Sequence, residues 1–242
     1  METRHLKPLL AALDVGYRYA PHQMFGYFLS DILALWGLPK WQTVPYAAGP
    51  VIAKAIETYA DIVRAQEPFD DVLGPLYMEL ASRGGRSALG QFFTPFHISS
   101  MMAQMTIGDV PPDDNRSLYR VCDPACGSGV MLLAFAQQAL RQWGKAALLR
   151  LSLTGCDLDP YCARMAAVQA IANCNLHDFQ LGEVLVLCGN SLRPWQDMDT
   201  VVHASAPSAA EQPPAQAPER LAALAHAAKS HPELVQLELF AA

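Results

Sequence analysis

Leu118-Tyr119-Arg120-Val121-Cys122 runs straight into Asp123-Pro124-Ala125-Cys126-Gly127-Ser128-Gly129, and a helical apolar repeat follows from Gly129 to Trp143. A short strand-like run, a turn with two glycines one residue apart, and then a helix is how a βαβ unit opens. Glycine carries no Cβ and tolerates positive φ, so such a turn brings backbone close to a ligand. Taken alone, Gly-x-Gly marks only a strand-to-helix turn; Asp-Pro-Ala-Cys in front of it is more specific. Downstream the alternation continues. Leu151 to Cys156 reads as a second strand and Pro160 to Ala172 as its helix; Phe179 to Leu187 is a third strand and Thr200 to His203 the stub of a fourth. This predicts an α/β fold around an incomplete parallel sheet.

Upstream the pattern is helical. Pro8 to Leu13, Met24 to Leu35, Val51 to Arg64 and Asp71 to Ser82 place apolar residues at helical spacing, punctuated by Gly37-Leu38-Pro39 and Gly49-Pro50. Tyr59, Ile62, Val63, Leu73, Leu76, Tyr77 and Leu80 are the expected core positions. Gly84-Gly85 marks a joint, so residues 1–85 form a helical N-terminal region and residues 86–205 the α/β domain. Ala204 to Pro218, rich in Ala, Pro, Ser and Gln, reads as a flexible linker that leads from the α/β domain into a 206–242 tail. Glu219 to Lys229 is expected to form a short helix.

Composition narrows the classes. The 242 residues suffice for a sizeable core, and although 52% are hydrophobic, no apolar run approaches a membrane-spanning length. Met1-Glu2-Thr3-Arg4-His5 lacks the basic-then-apolar opening of a signal peptide, so a cytoplasmic location is expected. The six cysteines fall between Cys122 and Cys188 without a Cys-x-x-Cys pair, which favours buried free thiols over a metal site. Nucleic-acid affinity draws largely on Lys and Arg at phosphates. With 17 Lys plus Arg against 23 Asp plus Glu, strong independent DNA binding is not expected. Arg83-Gly84-Gly85-Arg86 is either a local basic patch or a solvated loop.

Four short strings stand in a fixed order: Gly90-Gln91-Phe92-Phe93-Thr94-Pro95, Asp123 to Gly129, Gly155-Cys156-Asp157-Leu158-Asp159-Pro160, and Gly189-Asn190-Ser191-Leu192. Together they resemble the cofactor half of adenine-N6 DNA methyltransferases, most closely the modification subunits of type I restriction systems. That resemblance implies a Rossmann-like S-adenosylmethionine (SAM)-dependent methyltransferase fold with SAM as cofactor. It places Asp123 near the amino-acid end of SAM, with Ala125, Gly127 and Gly129 in the close-approach loop. Asp157 stands where an acidic side chain accepts bonds from a ribose diol; Asp159, two residues on, suits a cap for the helix that starts at Pro160. Asn190 replaces an Asp that accepts from the cofactor's adenine amino group; it can still accept, or serve only as a polar turn residue. Phe92 and Phe93 either pack on the cofactor by cation–π attraction or belong to the core, and Thr94 can bond its carboxylate end.

A fifth string is spoiled. Where the resemblance expects Asn-Pro-Pro-aromatic, the stretch after Asp199 to Ala204 reads Ser205-Ala206-Pro207-Ser208. A serine hydroxyl offers no planar carbonyl to a flipped target base, and Ser208 cannot stack on it; such stacking is worth ~1–3 kcal/mol. The expectation is a SAM-binding relative that does not methylate DNA alone and meets DNA weakly or only within a complex, beside restriction–modification subunits that supply the base grip. The alternative is a non-catalytic interaction module. Gln236-Leu237-Glu238-Leu239-Phe240 resembles the bacterial sliding-clamp-binding peptide, though a tail folded back on its own domain would use the same residues.

Overall fold

Proline and apolar spacing set the N-terminal half. A computed structural model describes residues 3–14, 18–83, 93–109 and 118–206. Four helices come first: α1 (Lys7–Leu13), α2 (Pro21–Leu35), α3 (Gly49–Ala65) and α4 (Leu73–Arg83). Pro8, Pro21 and Pro50 occupy the first turns of α1, α2 and α3, where a missing N–H leaves no helical bond unmade. α2 buries Met24, Phe25, Tyr27, Phe28, Leu29, Ile32 and Leu33, so it is apolar nearly all round, and it packs against α3, α4 and a later helix. Phe28 meets Tyr59 edge-on at 5.5 Å and Phe25 meets Tyr77 at 5.6 Å. All seven expected core residues of α3 and α4 are buried.

α5 (Phe96–Thr106) has no counterpart among the sequence expectations. It buries Ser99 and Ala103 and leaves Met101, Met102 and Met105 exposed, so its apolar residues do not trace a buried stripe. It lies against α6 (Val130–Trp143), which follows β1 (Tyr119–Asp123). A short α7 (Lys145–Leu148) leads into β2 (Leu151–Asp157), α8 (Pro160–Leu176) and β3 (Glu183–Cys188).

β1, β2 and β3 pair in parallel in that order. Right-handed crossovers running in one direction put α6 and α8 on the same face. There Leu132, Leu133, Ala166 and Ala170 meet Leu153, Val184 and Val186. The alanines let α8 approach closely, and its opposite side packs on α2, α3 and α4. One continuous buried core therefore joins the helical region to the sheet.

β4 (Asp199–Ser205) departs from expectation. It is the fourth strand, it includes Ala204 and Ser205, and it runs antiparallel to β3 at the end of the sheet. Only residues 189–198 separate the two strands, whereas a parallel neighbour needs a crossover of a dozen or more. Ser205 accordingly lies opposite Glu183, at the amino end of β3. The expected helix at 219–229, the linker beyond Ala206 and the 236–240 peptide lie outside the described residues. Among the described residues, no helix is long and apolar enough to cross a membrane.

Candidate cofactor site

The carboxyl ends of β1 and β2 build the site. β1 delivers Asp123, and the chain then turns through Gly127 (φ +54°) and Gly129 (φ +86°) into α6. Both glycines have positive φ, and the space beside each is tight. A Cβ on Gly127 would stand 3.0 Å from the Phe93 ring, and one on Gly129 would stand 3.0 Å from the Ala166 Cβ. The Cys126 N–H donates to the Cys156 carbonyl at 2.8 Å, and the Cys126 side chain fills the space over Gly155. The loop is thereby stitched to β2.

Asp157 ends β2, thirty residues beyond Gly127. Its Oδ2 accepts the Gly127 N–H at 2.8 Å and its Oδ1 accepts the Asp159 N–H at 2.9 Å. The Asp123 Oδ1 accepts the Ala125 N–H at 3.1 Å. Burial raises the Asp123 pKa; the Ala125 N–H works against that rise and the neighbouring Asp157 charge adds to it. Two half-buried carboxylates that repel each other beside a glycine loop favour a ligand bearing positive charge. SAM has a sulfonium and an ammonium, so the residues present fit it.

The remaining sequence candidates sort by position. Asp159 caps α8, accepting the Tyr161 N–H at 2.8 Å. Asn190 follows β3 and is exposed; its Oδ1 accepts the Leu192 N–H at 3.0 Å, an Asx turn. Phe93 is half-buried, lies over the Gly127 turn and faces Tyr77 at 5.7 Å; Thr94 beside it is half-buried. Phe92 and the 84–86 part of the basic patch lie outside the described residues.

Ser205 and Ala206 are not brought to this site. The antiparallel course of β4 carries Ser205 five residues along β3 from Cys188, roughly 17 Å at ~3.3 Å per residue. The direction of β4 leaves Ser205 at the amino end of β3; Pro207 and Ser208 lie outside the described residues. The thiols also differ from expectation. Cys126, Cys156 and Cys162 are buried, Cys174 and Cys188 are half-buried, and Cys122 is exposed because it alternates away from the helix-covered face of β1. Among the described residues, no three His, Cys, Asp or Glu side chains group as metal ligands.

Several contributors carry no local signal. Leu158, beside Asp157, is 73% exposed and offers an apolar surface at the rim. Tyr161 stands edge-on to Trp41 at 4.8 Å, and the Arg164 guanidinium lies 4.2 Å from the centre of the Trp41 ring. Trp41, in the connection between α2 and α3, thus lines the outer side of the α8 start. These partners are distant in sequence, so spacing could not have found them.

The description "N-6 DNA Methylase" belongs to the family that matches residues 66–212. Over 84 residues the chain is 38% identical to the "Type II restriction enzyme and methyltransferase RM.BcgI" of Heyndrickxia coagulans, covering 34% of this chain and 12% of that enzyme. A crystal structure described as a class I S-adenosylmethionine-dependent methyltransferase from Listeria monocytogenes is similar at TM-score 0.42 and 12% identity. That likeness covers 80% of this chain and 55% of the Listeria chain.

Proposed function

The chain belongs to the N-6 DNA methylase family, and on that premise we propose that it holds SAM for adenine-N6 modification of DNA while the grip on the target base is supplied from elsewhere. The observation that carries this reading is the pair of carboxylates, Asp123 and Asp157, on either side of the Gly127–Gly129 turn. When bound, SAM supplies a methyl group on a cationic sulfonium. Asp123 holds the amino-acid end, and Ala125, Gly127 and Gly129 let backbone come close. A carboxylate has about four acceptor directions. The bonds from Gly127 and Asp159 fix the Asp157 rotamer and leave acceptor capacity on both oxygens for the ribose hydroxyls. Asn190 Oδ1 keeps a lone pair for the adenine amino group beyond its bond to Leu192. Phe93 and Thr94 close the near side.

The base-gripping residues are another matter. No Asn-Pro-Pro-aromatic string occurs in the 242 residues, and β4 leads away from the cofactor loop. Ligands of open α/β sheets sit at the switch point, between the first strand and a strand on its other side. β1 stands at one end of the sheet order among the described residues, so a strand added along it by a partner or a further segment would meet the cofactor. The Heyndrickxia relative is named as both a restriction enzyme and a methyltransferase, which supports a restriction–modification setting. The net charge of −6 favours DNA contact within a complex over tight binding by this chain alone.

The test uses SAM labelled in its methyl group and adenine-containing duplex DNA. The chain alone is expected to retain labelled SAM on dialysis and to leave the DNA unlabelled. Label appearing on adenine with the chain alone would overturn the division of labour.

Gln236 to Phe240 favours a second reading beside the first, a sliding-clamp ligand in which Leu239 and Phe240 enter an apolar pocket while Gln236 hydrogen-bonds at its rim. A peptide of the last dozen residues should bind the clamp, and Leu239→Ala with Phe240→Ala should abolish binding. Equal binding by the double variant would refute it.

A further inference from the structure

The turn that leads into α4 is fastened to the cofactor loop by buried polar groups. Ser128, between the two loop glycines, has no solvent-accessible surface, so its hydroxyl faces protein. That hydroxyl donates to Asp71 Oδ2 at 2.9 Å. Gln169 on α8 donates to the Ser128 carbonyl at 2.9 Å and to Asp71 Oδ1 at 2.7 Å. Its Oε1 accepts the N–H groups of Val72 and Leu73 at 2.8 and 2.9 Å. The Gly74 N–H completes the Asp71 shell at 2.8 Å, and a Cβ at Gly74 would collide with that carboxylate. Asp71 and Gln169 thus tie three segments together: the turn before α4, the side of α8, and the cofactor loop at Ser128.

We propose that Asp71 is a positioning residue for cofactor binding, acting through Ser128 and Gln169 to hold the Gly127–Gly129 turn in its ligand-ready shape. This rests on the reading that the turn binds SAM. Asp71 touches no ligand itself. It converts the docking of the helical region onto α8 into a fixed Ser128 backbone, so the helical region is part of the cofactor site rather than an appendage. A second latch on the same turn supplies a control. Gln137 donates to the Pro68 carbonyl at 2.8 Å and to Asp70 Oδ1 at 3.0 Å, without touching the loop.

The experiment titrates SAM into the wild-type chain and into Asp71→Ala, Asp71→Asn, Ser128→Ala and Gln137→Ala, with a melting curve for each. Asp71→Ala and Ser128→Ala are expected to weaken SAM about tenfold, the scale of one lost charge-assisted hydrogen bond. Asp71→Asn keeps an oxygen acceptor for Gly74 and Gln169 and turns the contact with Ser128 round, its amide N–H donating to the hydroxyl, so it should recover part of that loss. Gln137→Ala should lower the melting temperature and leave the SAM Kd unchanged. Should Asp71→Ala not fold, Ser128→Ala decides, because it removes one hydroxyl from the shell. Wild-type affinity in folded Ser128→Ala, or an equal loss in Gln137→Ala, overturns the positioning role. Absence of SAM binding by the wild-type chain overturns instead the cofactor reading beneath it.

Discussion

At residue scale, the site depends on backbone that only particular side chains permit. Gly129 combines φ +86° with a neighbour 3.0 Å from any Cβ, so Gly129→Ala should cost about 1–3 kcal/mol in urea unfolding, well beyond a surface substitution. An unchanged unfolding midpoint would show that the turn tolerates a side chain. Glu183 is tuned in the opposite region of the sheet. The Ser152 hydroxyl, first, and then His203 and Arg120 hold its carboxyl below the usual carboxylate range, against some burial. A depressed folded pKa stabilises the protein above the unfolded value, about 4.3, and that stabilisation is lost as pH falls through the folded value. Asp71 runs the other way, because burial raises its pKa against its bonds to Gln169, Gly74 and Ser128. The comparison with Glu183→Gln separates the two: the melting-temperature gap between wild type and variant should be full at pH 6 and close below about pH 4. A gap independent of pH would remove Glu183 from the account. Cys122 is the exposed thiol, so alkylation of the native protein followed by mass spectrometry should modify it first. Cys126, whose pKa burial pushes far up, should react only on unfolding.

At the scale of elements, what was legible had a local cause. The helices of the N-terminal region announced themselves through proline and apolar spacing, and Asp159 before Pro160 gave the start of α8 as a capped turn. β1, β2 and β3 followed from short apolar runs separated by helices. α5 escaped because its methionines face outward. The direction of β4 differs from the parallel expectation. A strand-like run invites parallel placement in an α/β sheet, yet the short 189–198 connection contains no crossover helix and permits only a return strand. The close fit of α8 against the loop also yields a test. Ala166 faces Gly129, so Ala166→Leu should overpack that contact, destabilise the fold by roughly 1–3 kcal/mol in urea unfolding and weaken SAM binding in the same variant. Wild-type stability in that variant would mean that the contact is loose.

At the scale of the whole molecule, the helical region and the sheet share one core, although the Gly84-Gly85 joint suggests separable parts. The reason is α8, buried on one side by β2 and β3 and on the other by α2, α3 and α4. The candidate residues near the loop stand out in the sequence because their pattern is local: a carboxylate at a strand end and glycines in a turn. Asp71 and Gln169 do not, since they meet across 98 residues and no spacing rule links them. The family match begins at residue 66, before the joint, and so includes the Asp71 turn along with the sheet. If Asp123 and Asp157 flank a working SAM site, calorimetric titration of SAM into the wild-type chain should give saturable one-site binding, weakened at least about tenfold in a folded Asp157→Ala. Absence of binding by the wild type, or equal affinity in the variant, would refute the site.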